Sequence, residues 1–179
     1  MTASNWPAAL AFVWRPENDG NGFHVGADDP GGATSWGVTH DTWAHAVNLS
    51  LVPDVPLQDA SQDDLARVLR LQFWNVIQGD RLPSGVDLAT FNLAMLSGPG
   101  RAAIELQAAL GIRADGIIGP LTMVAVRGAD PLELIDHLTD SEEVFFSGLK
   151  NARTNLNGWK RRAEDCRAEA LKLCKGSTP

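Results

Sequence analysis

Residues 17–38, ENDGNGFHVGADDPGGATSWGV, constrain this chain more than any other stretch. Gly20, Gly22, Gly26, Gly31, Gly32 and Gly37 crowd around Pro30, and glycine and proline both oppose a helix. Runs 23–25 and 35–38 are suited to pair as a small hairpin around a turn at Pro30-Gly31-Gly32. A polar loop this long inside a compact helical domain is either functional or disordered. Phe23 and Trp36 within it argue for order.

The remainder reads as helices parted by glycine and proline. The spacing predicts helices over 4–16, 39–48, 61–77, 86–97 and 100–110. Others open at Pro120 and at Asp130-Pro131, proline being tolerated in a first helical turn. In 61–77, Ser61 and Asp64 have capping-box spacing, and Leu65, Val68, Leu69, Phe73, Val76 and Ile77 recur on one face. The last helix carries an apolar stripe of Trp159, Ala163, Cys166, Ala170 and Leu173. The expected fold class is therefore mainly α with a small β-hairpin.

A length of 179 residues suits one domain with at most a small appendage. With 44% apolar and 21% charged residues, disordered and fibrous classes are excluded. No apolar run reaches the roughly 18 residues of a membrane helix, so no stable membrane insertion is expected. The first residues lack a basic leader, and Pro7 and Arg15 break their apolar run, so no secretory signal is expected. Cys166 and Cys174 lie about 12 Å apart along a helix, too far for a disulfide. Free thiols used as core fillers fit a protein made in the cytoplasm.

The charge is lopsided. Residues 150–179 carry net +5, leaving −12 for the rest of a chain of net −7. Such a helix either attracts polyanions or is simply a solvated face. No nucleic-acid-binding signature or zinc-ligand spacing accompanies it, so neither nucleic acid nor a metal is expected.

Glu17 stands where the first helix turns into the hairpin. A carboxyl there, next to Trp14, is expected to be partly desolvated, which would raise its pKa and suit it to general-acid work. Asp28, Asp29 and Thr34 follow on the hairpin. An acid facing a second carboxylate or a hydroxyl is what glycosidic cleavage requires. Acidic residues in glycine-rich loops are more often caps and turn residues, however, so composition alone leaves both readings open. A calcium loop is disfavoured, because the alternating acids and closing glutamate are missing. His24 and His40 read as surface or capping residues before they read as bases. Trp36 and Trp43 are either sugar-stacking platforms or core.

The order of Glu17, a glycine-rich segment and then Asp29-Pro30-Gly31-Gly32-Ala33-Thr34-Ser35-Trp36-Gly37-Val38-Thr39 resembles the N-terminal signature of family 108 of the glycoside hydrolases. These are N-acetylmuramidases found as phage endolysins and in prophage-like clusters. The resemblance continues through Phe73-Trp74, Phe91-Asn92-Leu93-Ala94 and Ser97-Gly98-Pro99-Gly100-Arg101-Ala102. It runs on through Leu106-Gln107, Leu110-Gly111, the block from Asp115 to Thr122, and Gly158-Trp159. The 106–122 block resembles peptidoglycan-binding modules.

The resemblance implies a lysozyme-like helical domain whose hairpin carries the active-site loop. A catalytic region over 1–98 would be followed by a peptidoglycan-binding-like part over 99–179. Glu17 falls on the family's acid, with Asp29 and Thr34 as the other catalytic candidates. Asp28, Trp36 and His40 are expected to meet substrate, and Asn92 to brace the loop from behind. Two departures stand out. Asn18-Asp19-Gly20-Asn21 separate Glu17 from Gly22, where the family has glycines directly after the glutamate. Asn92 replaces a frequent aspartate. The expected protein is a cofactor-free monomer that cuts the glycan of bacterial peptidoglycan. It would be held in the cytoplasm until released in lysis. The alternatives are a non-catalytic peptidoglycan binder or a secretion or assembly accessory.

Overall fold

A computed structural model describes residues 4–15, 22–25, 32–147 and 152–176. The chain divides into two compact units, residues 6–75 and residues 1–5 with 76–179. The architecture is helical with one small antiparallel sheet.

In the unit 6–75, α1 (Trp6–Val13) buries Ala9, Phe12 and Val13. Strands β1 (Phe23–Val25), β2 (Ala33–Ser35) and β3 (Val38–Thr39) form the sheet in the order β1-β2-β3. The expected strand at 35–38 is instead a strand end, a two-residue reversal at Trp36-Gly37 and the start of β3. Both reversal residues have positive φ, 50° and 81°, as tight hairpins need to match strand twist. Gly37 takes that conformation freely. Trp36 is held in it, its N–H donating to Gly22 O at 3.4 Å and its carbonyl accepting from Trp14 Nε1 at 3.1 Å.

Helix α2 (His40–Asn48) follows β3 without a linker, capped by Thr39 Oγ1, which accepts from the Thr42 N–H. The Ser61 cap of α3 (Gln62–Leu69) is present as expected, with Asp64 N–H donating to Ser61 Oγ at 3.1 Å. The helix expected to reach Ile77 does not continue that far. It widens into a π-turn over Arg70–Trp74, closed by Asn75 N–H on Arg70 O, and then leaves the helical path. The widened turn accompanies a packed aromatic cluster. Trp74 meets Trp6 edge-on at 5.6 Å, and the Arg70 guanidinium lies over both rings.

In the other unit, α4 (Val86–Ser97) is buried from Val86 through Ala94. It packs against α5 (Pro99–Ala109), α7 (Pro131–Ser147) and α8 (Ala152–Gly176), while α6 (Pro120–Gly128) follows the 111–119 loop. Leu88, Phe91, Leu93, Leu106, Ile135, Leu138 and Ala170 form its core. Gly85, with φ +89°, opens α4 where a Cβ would collide with the Ala170 carbonyl. Residues 4 and 5 belong here, since Asn5 Nδ2 donates to Asp87 Oδ2 at 2.8 Å and to Ser84 Oγ.

Cys166 is buried and Cys174 half-buried, and the two are not joined in a disulfide. The basic C-terminal face is smaller than the sequence suggested. Arg162 is 5% exposed and hydrogen-bonded inside the core, and Arg167 pairs with Asp136 and Asp140. Lys160 and Arg161 remain exposed. No helix among the described residues is long and apolar enough to cross a membrane.

Candidate active site

The sheet sets the geometry of the hairpin. Thr34 pairs with His24 of β1 on one side and Thr39 of β3 on the other. Residues directly opposite in antiparallel strands share a face, so His24, Thr34 and Thr39 line one face, and Phe23, Ser35 and Val38 the other. Thr34 is buried at 8% exposure, whereas His24 is exposed, its Nδ1 3.3 Å from Gly22 O. Trp36 is half-buried, its ring 5.3 Å from that of Trp14 and tilted by 58°. His40 opens α2, exposed, with Nδ1 3.5 Å from Asp41 Oδ1.

Thr34, Trp36 and His40 thus lie within one unit on consecutive elements. Glu17, Asp28 and Asp29 lie outside the described residues. Trp43 is core, not an open platform: it is 3% exposed and its Nε1 donates to Val55 O at 2.8 Å.

Asn92 lies in the other unit, fully buried on α4. Its Nδ2 donates to Glu142 Oε2 at 2.8 Å, and its Oδ1 accepts from Arg162 Nε at 3.0 Å. One amide thereby ties α4 to both α7 and α8. The departure from aspartate is physically legible here. An amide serves a carboxylate and a guanidinium at once, where a carboxylate would set two buried anions together.

Sequence reasoning passed over two groupings. His24 read as a surface residue, but the register sets it opposite Thr34. No local signal marked that pairing, because the connection over 26–32 is too long to fix a register as a two-residue turn does. Asp87 was not singled out. Its carboxyl is raised from an ordinary 3.8 to about 6 because burial outweighs the bonds it accepts from Asn5, Leu88 and Gly85.

The 106–122 block is organised by the buried side chain of Gln107. Its Oε1 accepts from Asp115 and Gly116 N–H, both at 2.9 Å. Its Nε2 donates to Asp115 Oδ1, Ile117 O and Thr122 Oγ1. The Gln107 amide and the Ile117 N–H hold the Asp115 carboxyl below its usual range. Asp115 and Thr122 therefore brace the turn.

The glycosyl hydrolase 108 family model matches residues 17–98, and a predicted peptidoglycan domain matches residues 101–164. The chain is also similar to the solved structure of Brucella abortus SagA, with 33% identity, 97% of each chain covered and a TM-score of 0.86. The chain belongs to glycosyl hydrolase family 108. None of the curated proteins matches it. As a family 108 member it is a glycoside hydrolase acting on peptidoglycan. The family 108 match begins at Glu17 and takes in Thr34, Trp36, His40 and Asn92.

Proposed function

We propose that the protein is an N-acetylmuramidase of lysozyme type, with Glu17 protonating the leaving glycosidic oxygen. The observation that carries this reading is Thr34, buried on the central strand of a sheet that follows α1 and lies within the family 108 segment. A hydroxyl or carboxylate opposite the acid positions water or stabilises the oxocarbenium-like transition state, and Thr34 and Asp29 fill that role. Asp28, Trp36 and His40 meet the sugar chain, and Asn92 supports the fold through the helices it ties together. Residues 1–98 form the catalytic region and 99–179 the peptidoglycan-binding-like part of a monomer.

The biological role that fits is an endolysin of phage or prophage type, kept in the cytoplasm until the membrane is breached. The test is lysis of permeabilised Gram-negative cells, with mass spectrometry of the released fragments. New reducing ends on N-acetylmuramic acid support the reading. Fragments ending elsewhere, or clearing without new reducing ends, overturn it.

A further inference from the structure

Strand β3 ends at Thr39, the cross-strand partner of Thr34, and α2 begins at His40. From that point a cleft of about 410 Å³ runs along α2, within the range of small-ligand pockets. Its wall on α2 includes His40, Trp43, Val47 and Asn48, whose spacing places them on one helix face. Residues 54–57 form the facing wall, pinned by the bond from Trp43 Nε1 to Val55 O.

The chemistry of this cleft is mixed. Trp43 is almost wholly covered and its N–H is used, so it contributes an apolar floor together with Val47 and Val55. The polar groups are the exposed Asp54 carboxylate, the Asn48 amide and the His40 ring. A sugar ring asks for an open aromatic face, which this floor lacks. Aliphatic walls beside a carboxylate, an amide and an imidazole suit a short peptide that carries an ammonium group as well as carboxylates. The carboxylate would meet the ammonium, and the amide and ring would meet peptide or carboxylate groups. Peptidoglycan carries such peptides on its muramic acid residues, built from alanine, glutamate and a diamino acid.

We propose that the α2 cleft is a subsite for the stem peptide borne by the glycan strand. It rests on the reading of peptidoglycan as the substrate. The subsite starts one residue beyond the partner of Thr34, so a strand lying along the hairpin would bring its peptide to this wall.

The test compares kcat/KM on peptide-bearing strands with kcat/KM on strands stripped of peptide by an amidase. The proteins are wild type, Asp54→Asn and Ala44→Trp, each with its thermal midpoint measured. Ala44 lines the cleft, so an indole there fills it. The preference for peptide-bearing strands should fall about two- to fivefold in Asp54→Asn and about tenfold in Ala44→Trp. An unchanged preference in both variants overturns the proposal. The free tripeptide L-Ala-γ-D-Glu-meso-diaminopimelate should shift the Trp43 indole N–H resonance of the wild type, and an unmoved resonance also overturns it. If the wild type cuts neither kind of strand, the muramidase reading falls, and the tripeptide titration still decides the cleft.

Discussion

Thr34 and His24 face each other across the β1–β2 ladder, the threonine buried and the histidine exposed. This pairing gives the hairpin a polar face on which two groups of different reach stand side by side. Hypothesis: Thr34→Val, which keeps shape and removes the hydroxyl, lowers turnover sharply with little change in thermal midpoint. Asp29→Asn lowers activity if the carboxylate takes part in the chemistry, and lowers only the midpoint if it sets the turn. Full activity in Thr34→Val would leave the hairpin a structural role alone.

Glu17→Gln is expected to abolish lysis while leaving the fold intact. The amide is nearly isosteric but has no proton to give, and general-acid catalysis contributes roughly 10²–10⁴-fold. Lysis within tenfold of wild type by well-folded Glu17→Gln protein would remove Glu17 from its role.

Asp87 makes stability depend on pH. Its folded pKa of about 6 lies above the ordinary 3.8, so between those values the folded protein keeps a proton that the unfolded chain has lost. The stability from this group is complete below about pH 4 and is lost as pH rises through about 6, by about 3 kcal/mol in all. Asp87→Asn stays neutral throughout. Urea unfolding from pH 4 to pH 7 should show the variant gaining on wild type as pH rises, and parallel curves would refute the assignment.

Gln107→Leu keeps the volume and removes every bond that Gln107 makes to the 115–122 turn. The expected loss is about 2–4 kcal/mol in chemical unfolding, since buried partners are left unpaired. The Asp115 carboxyl, deprived of the amide, should titrate higher by NMR. An unmoved Asp115 titration would show that the amide is not what lowers it.

Lys160, Arg161 and Arg162 are adjacent in sequence but differ in what replacement should do. Arg162→Gln is expected to destabilise by about 3–5 kcal/mol, because it breaks a buried charged network reaching Asn92 and Glu142. Lys160→Gln with Arg161→Gln should leave stability unchanged. If the exposed charges dock the enzyme on anionic wall, that pair also flattens the salt dependence of whole-wall lysis, since exposed charges are screened beyond about 8–10 Å. Cleavage of a short soluble glycan should not change. An unaltered salt profile would leave α8 a solvated face.

Helix positions were legible because apolar periodicity reports burial directly. Ser61, Pro120 and Pro131 marked starts that the structure shows at or within a residue of those positions. The end of the third helix was not legible. Val76 fits the apolar pattern but is exposed, and the π-turn before it packs Trp74 on Trp6, distant in sequence. The reversal inside 35–38 was missed by a similar route. Trp36 in positive φ is unfavourable for a bulky side chain, and its bonds to Gly22 and Trp14, which lie elsewhere in the chain, accompany it. The basic helix misled because a run of charges does not say which of them face inward. Arg162 turns into the core to meet Asn92, a partner 70 residues earlier in the chain.

The division into residues 6–75 and residues 1–5 with 76–179 bears on the order of events on the ribosome. The unit 6–75 is contiguous in sequence, so all its contacts become available once residue 75 has emerged. The second unit is discontinuous: Asn5 precedes the contiguous unit, yet its partners Ser84 and Asp87 arrive some 80 residues later. At about 5–20 residues per second, that is a wait of roughly 4–16 seconds. The hairpin-bearing segment can therefore close before the other unit is complete, and nascent chains arrested once residue 75 has cleared the ribosome should already protect it from protease.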